Sequence, residues 1–198
     1  MIAITKPSFI EEYAKTSGIV IKLTDEKVQK ADQWATEVIK AKKTEGHHKT
    51  DSRSTHKRFL TGMLGELALE EVLQIPTVNW AIGKSTAFKS PDLKHAGFDV
   101  GIKTVNYGMF PLVSKNPTSA EIINIKISDN EICVVGLVTL EDIKNYTNDD
   151  LLFDKNAKKR KTGFWNLSAA KTFKSLDELK SLVFPEKRGG NLYLNEVL

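Results

Sequence analysis

The chain has 198 residues, 40% of them hydrophobic, with 29 Lys and Arg against 25 Asp and Glu for a net charge of +4; this suits one domain with an ordinary core and leaves too little chain for two. No apolar run approaches the roughly 20 residues of a membrane span, and the start MIAITKPSFIEEY puts acids where a secretory signal has its apolar stretch, so a soluble, cytoplasmic protein with no membrane partner is expected. The one cysteine, Cys133, excludes an internal disulfide, and its place in NEICVVGLV reads as a small buried hydrophobe.

Thr24, followed by Asp25 and Glu26, predicts a helix start, because a threonine oxygen accepts from free backbone donors and acids favour the positive end of the helix dipole. Val28, Ala31, Trp34, Ala35, Val38 and Ile39 recur at helical spacing, so this helix runs from about Asp25 to Lys43 within an N-terminal helical part, residues 1–45. The basic stretch KAKKTEGHHKTDSRSTHKR (40–58) has no apolar period and reads as a polar loop ended by Ser54 or Thr55 as a second cap, where a core of about 54–185 begins. HKRFLTGMLGELALEEVL then carries Phe59, Leu60, Met63, Leu64, Leu67 and Val72 on one stripe. Gly62 and Gly65 in it suggest close packing, and Glu66 and Glu70 lie one turn apart at the edge of the stripe.

Beyond this helix the period falls from 3.6 to 2. Strands are expected near Thr77–Ala81, Phe98–Val105, Glu121–Ile127 and Ile132–Thr139, the last almost wholly apolar and therefore central. Thr139 and Asp142 form a capping-box pattern for a short helix, LEDIKNY; a strand near Gly163–Leu167 and a helix SLDELKSLV opened by Ser175 follow. The order argues for one mixed α/β domain with a sheet covered by helices.

Chemistry concentrates in SPDLKHAGFDVGIKTVNYG, residues 90–108. Alternation along a strand sends Asp99, Gly101 and Lys103 to one face, and an acid and a base two steps apart are either a surface ion pair or a site. A helix carrying the edge glutamate Glu66, then Pro91-Asp92, then this strand, resembles the PD-(D/E)XK nuclease superfamily over roughly residues 57–146. The resemblance implies a restriction-endonuclease-like fold, a central mixed sheet flanked by helices. It implies Mg²⁺-dependent (or Mn²⁺-dependent) phosphodiester hydrolysis by a DNA endonuclease of restriction or phage type, with Glu66, Asp92 and Asp99 around the metal and Lys103 beside the attacking water. Carboxylate-held Mg²⁺ can neutralise the phosphate, activate water and stabilise the leaving oxygen, so histidine and cysteine ligands are not required.

The pattern departs from the family at one position. With Lys103 as the family's lysine, the triplet reads Gly101-Ile102-Lys103 and lacks its acid. Either Asp99 and Asp92 are the two metal acids, or Asp99 is the PD-type aspartate and Glu66 completes the site. A third alignment uses Lys126, with Asn124 in the acid's place, and an amide holds Mg²⁺ less well. The same departure supports an alternative from another class, a degenerate nuclease-fold protein that binds nucleic acid or protein without cutting.

Double-stranded DNA is the partner this reading implies, and a homodimer is compatible with it. Lys49, Arg53, Lys57 and Arg58 immediately precede the Glu66 helix, and Lys159, Arg160 and Lys161 form a second basic run, so both can meet backbone phosphates. His95, between Asp92 and Asp99, can approach phosphate as well, while Phe164 and Trp165 are either stacking residues or core. His47, His48, His56 and His95 fit no zinc spacing, and no Gly-x-Ser-x-Gly turn or exposed cysteine supports nucleophilic catalysis.

Overall fold

β-branched stretches pair first. In the structure, a computed structural model describing residues 18–41, 55–82, 91–152, 155 and 157–185, strands β1 (Ile19–Lys22), β2 (Val100–Asn106), β4 (Ala120–Lys126) and β5 (Glu131–Val138) form a mixed sheet in the order β1-β5-β4-β2. The apolar β5 lies inside the sheet, antiparallel to β1 and to β4, as its composition requires. Strand β2 runs parallel to β4 and forms an edge. A second sheet, in the order β3-β7-β6, is built from β3 (Leu112–Ser114), β6 (Thr147–Asn148) and β7 (Lys161–Phe164).

Four helices complete the described chain: α1 (Asp25–Ala41), α2 (Thr55–Leu73), α3 (Leu140–Asn145) and α4 (Leu176–Val183). Their starts follow the sequence signals. Thr24 Oγ1 accepts from the Lys27 backbone at 3.4 Å, Thr139 and Asp142 form a reciprocal capping box, and the Ser175 hydroxyl accepts from the Glu178 backbone.

The two faces of the mixed sheet bury different cores. On one, Val100, Ile102, Ile122, Ile132 and Val134 pack with Met63, Leu64, Leu67 and Ala68 of α2. On the other, Val105, Ile123, Ile125, Cys133 and Val135 pack with Val113 and Phe164 of the second sheet and Ile143 of α3. Alternation along β2 thus sends Ile102 and Thr104 toward α2, and Gly101, Lys103 and Val105 to the opposite face.

Three expectations require correction. The N-terminal part is not wholly helical and the core does not begin near residue 54, because β1 (Ile19–Lys22) pairs with β5 in the mixed sheet and Leu23 and Ala31 join its core. Residues 77–81 form no strand: Gln74 adopts a left-handed φ of 53° at the end of α2, and the chain turns back along the helix, where Thr77 and Val78 donate their backbone N–H groups to Glu70 Oε2 at 3.1 and 3.4 Å. A carboxylate has taken donors that a ladder would have used. Gly62 makes no close approach, since a Cβ there would meet nothing within 4 Å.

Candidate active site

Gly65 sets the position of the site. A Cβ at that residue would overlap the Thr104 side chain, with Thr104 Cβ and Cγ2 only 2.8 Å away, so the α2 backbone can lie against β2 only because no side chain intervenes. Asn124 of β4 fixes the approach by donating its amide to the Gly65 carbonyl at 3.2 Å. The next residue, Glu66, is thereby held beside β2. The Thr77 hydroxyl donates to the Glu66 carbonyl at 2.8 Å, and the Asn79 backbone donates to its carboxyl.

The outer edge of β2 is covered by the turn before it. Leu93 donates its backbone N–H to the Val100 carbonyl at 3.0 Å, and the Ile102 N–H, which has no strand partner on that side, donates to Asp92 Oδ2 at 2.5 Å. Asp92 therefore substitutes for a missing strand. The Lys103 ammonium bends back to the same edge and donates to the Ile102 carbonyl at 3.1 Å.

Lys103 also meets an acid on the neighbouring strand. Glu121 stands opposite Gly101 in the β2–β4 register, and its Oε2 lies 2.9 Å from Lys103 Nζ; apart from this ammonium, that buried oxygen has no partner. Lys161 of β7 is close enough to add a second positive charge to Glu121. Sequence reasoning missed Glu121 as a site residue. The available signal was an acid at the start of the β-branched run AEIINIK, facing a glycine on the next strand.

These groups perturb one another. Glu66 keeps part of its surface exposed, yet its carboxyl is enclosed by protein, and that burial, reinforced by the negative charge of Asp92, raises its pKa from 4.5 to about 8, with the Asn79 N–H and Lys103 opposing. Burial also raises Glu121; Lys103 opposes this by charge and hydrogen bonding, Asp92 adds to it, and Lys161 opposes it. Lys161 is shifted down, first by burial and then by repulsion from Lys103, against the pull of Glu121.

Of the predicted site residues, Glu66, Asp92 and Lys103 come together and Asp99 does not. Asp99 precedes the first paired residue of β2, its side chain is 63% exposed, and its Oδ1 lies 3.5 Å from Lys94 Nζ. The left-handed Gly97, φ 87°, closes the 3-10 turn Lys94–Ala96, and the turn brings Lys94 to Asp99. The expected partnership of Asp99 with Lys103 is thus replaced by two pairs, Asp99 with Lys94 and Lys103 with Glu121. The alternative lysine, Lys126, pairs with Asp129 at 2.7 Å, and Asn124 is buried against α2.

The predicted phosphate contacts are dispersed. Lys57 and Arg58 lie in the first turn of α2, with Arg58 5.5 Å over the Phe59 ring; Lys49, Arg53, His47 and His48 lie outside the described residues. Lys159 and Arg160 are exposed just before β7, where Lys161 begins the strand. His95 Nε2 donates to the Pro76 carbonyl at 2.8 Å and so ties the covering turn to the segment after α2. His56 lies 3.4 Å from Asp32. Phe164 is core, whereas Trp165 is 39% exposed, edge-on to Tyr146. Cys133 is buried, which pushes its thiol up to about 11.

Among the described residues, no three His, Cys, Asp or Glu side chains converge closely enough to hold a metal ion between them, and no helix is long and apolar enough to cross a membrane. Comparison with protein-family models, curated sequences and solved structures gives no match.

Proposed function

We propose that the protein is a divalent-metal-dependent nuclease of the PD-(D/E)XK type, acting on double-stranded DNA at the outer edge of β2. The observation that carries this reading is the gathering of Glu66, Asp92, Glu121 and Lys103, from a helix, a turn and two strands, around the backbone of Ile102 and Lys103. The donor set suits Mg²⁺, a hard cation that takes carboxylate oxygens and retains several waters. Glu121 Oε2, buried with only an ammonium beside it, is an oxygen available to such an ion. Glu66, Asp92 and Glu121 are the residues that would hold the metal.

When bound, the ion supplies charge neutralisation at the phosphate and an acidified water. The remaining roles belong to the chain. Lys103 presents a cation at the same edge, where it can orient a water or a phosphate oxygen. Glu66 holds a proton near neutral pH and would release it to make way for a bound cation. Asp92, exposed and already anchored by the Ile102 N–H, would present its carboxylate to a solvated ion. Lys57, Arg58, Lys159 and Arg160 supply phosphate contacts that carry no sequence information.

The second reading, a fold that binds nucleic acid or protein without cutting, is favoured by the lack of convergence among the acids. Cleavage of a mixed double-stranded DNA substrate with Mg²⁺ or Mn²⁺ separates the two. The proposed enzyme cuts, and Lys103→Met and Glu121→Gln each reduce cutting by at least about a hundredfold, in line with the loss of a group acting at the reacting centre. Salt-sensitive DNA binding without cleavage establishes the nucleic-acid form of the second reading, and absence of both binding and cleavage refutes the nuclease and leaves only a protein-binding module.

A further inference from the structure

The space around Gly101 is already filled by an acid from another strand. A Cβ built on Gly101 would overlap Glu121 Oε2, with Cδ at 3.0 Å and Oε1 at 3.3 Å, so the Glu121 carboxyl occupies the volume that a side chain at residue 101 would enter. Gly101 has an ordinary negative φ, since it is not among the residues of positive φ, and no backbone conformation calls for glycine there. A strand interior disfavours glycine, which offers nothing to pack. What requires it is the carboxylate opposite.

We infer that Glu121 supplies from β4 the carboxylate that the triplet Gly101-Ile102-Lys103 lacks on β2, so that Glu121 with Gly101 does the work of a single acid at position 101, and that positions 101 and 121 can exchange it. Both ends of this exchange lie on the sheet face that carries Lys103, directly opposite each other in register, and Glu121 already has the lysine contact that an acid two residues before Lys103 would make. A purely structural origin explains less. A buried ion pair is seldom worth more to stability than apolar residues of the same volume, and this one leaves Glu121 Oε2 with no partner besides the Lys103 ammonium. The inference takes its chemistry from the nuclease reading but concerns only how one carboxylate is supplied.

The test is a relocation cycle on the full chain: the original protein, Gly101→Glu, Glu121→Ala and the double variant Gly101→Glu/Glu121→Ala, with Gly101→Ala as a milder probe should Gly101→Glu fail to fold. Two readouts are taken, the midpoint of thermal unfolding in EDTA and Mn²⁺ affinity by calorimetry. Gly101→Glu, or Gly101→Ala, should lower the midpoint because it displaces the Glu121 carboxylate, Glu121→Ala because it strands Lys103, and the double variant should recover most of both losses. Mn²⁺ affinity should fall at least about tenfold in each single variant and return to within a few fold in the double. Additive losses of stability, or a double variant that binds Mn²⁺ no better than Glu121→Ala, overturn the inference. Should the original protein bind no Mn²⁺, the nuclease reading falls, while the unfolding cycle still decides whether positions 101 and 121 exchange one acid.

Discussion

Replacing Glu66 by glutamine isolates the most strongly shifted group of the site. In the folded protein Glu66 titrates at about 8 instead of 4.5, so between those values the native state holds a proton that the unfolded chain has released. Stability then falls as pH rises. The contribution is complete below about pH 4.5 and lost by about pH 8; at about 1.4 kcal/mol per pH unit, the span gives a ceiling of roughly 5 kcal/mol, lowered by whatever solvent reaches the carboxyl. Glu121, also shifted upward, adds a slope of the same sign. Glu66→Gln keeps an oxygen for the Asn79 N–H and removes the titration. Urea denaturation in EDTA from pH 5 to pH 8.5 should show the original protein losing a few kcal/mol and Glu66→Gln losing much less, so that the variant is the more stable at the alkaline end. With Mg²⁺ in excess, the slope of the original protein should flatten, because the ion replaces the proton. Parallel stability curves for the two proteins in EDTA would refute the buried, proton-holding Glu66.

The two glycines of α2 should respond in opposite directions. Gly65→Ala pushes a methyl group into Thr104 and should cost about 1–3 kcal/mol in denaturant unfolding, whereas Gly62→Ala, with open space around it, should gain up to about 1 kcal/mol from helix propensity; equal effects would remove the close approach of α2 to β2. Lys103→Met leaves Glu121 enclosed with only the more distant charge of Lys161 and should lose about 3 kcal/mol at pH 8, less at pH 5, where Glu121 can take a proton; a loss independent of pH would show that the pair is not charged. Cys133, with its thiol held up at about 11, should react with a disulfide reagent only on unfolding, and rapid reaction of the native protein would contradict its burial.

Much of this arrangement is legible in the sequence, and the failures have identifiable causes. Periodicity located α1, α2, β2, β4 and β5 to within a few residues, since each buries one face or both. Side-chain caps announced α3 and α4. Residues 77–81 misled because an alternating pattern says that backbone donors will be used, not by what, and Glu70 took them. For Asp99, alternation gave the right parity but no pairing to enforce it, and Lys94 was nearer through a turn invisible to periodicity. Glu121 could not be found from its own strand, because it belongs to the site only through the parallel register of β2 on β4. A register is a tertiary fact, and neither strand states it alone.

The electrostatics of the β2 edge argue for a ligand, not for a structural ion-pair network. A network built for stability would give each buried acid a cation and satisfy each oxygen. Here Glu66 is opposed first by burial and then by another acid, Asp92, while Lys103 is spent on Glu121 and the Ile102 carbonyl, and Lys161 is itself shifted down by burial and by Lys103. The acids outnumber the lysines at this edge, and their mutual repulsion persists at any pH where all are ionised. A DNA phosphate brought to the same place adds to that repulsion. A divalent cation would reverse it: it would favour the ionised form of each acid and add positive charge where a phosphate approaches. The order of events follows from charge alone. On the nuclease reading, metal would reach the acids before DNA engages the edge, so DNA affinity at fixed salt should rise on adding Ca²⁺, whose carboxylate chemistry resembles that of Mg²⁺, and Glu121→Gln should weaken that rise. Equal DNA affinity with and without Ca²⁺ would leave the acids of β2 and its neighbours without a part in binding.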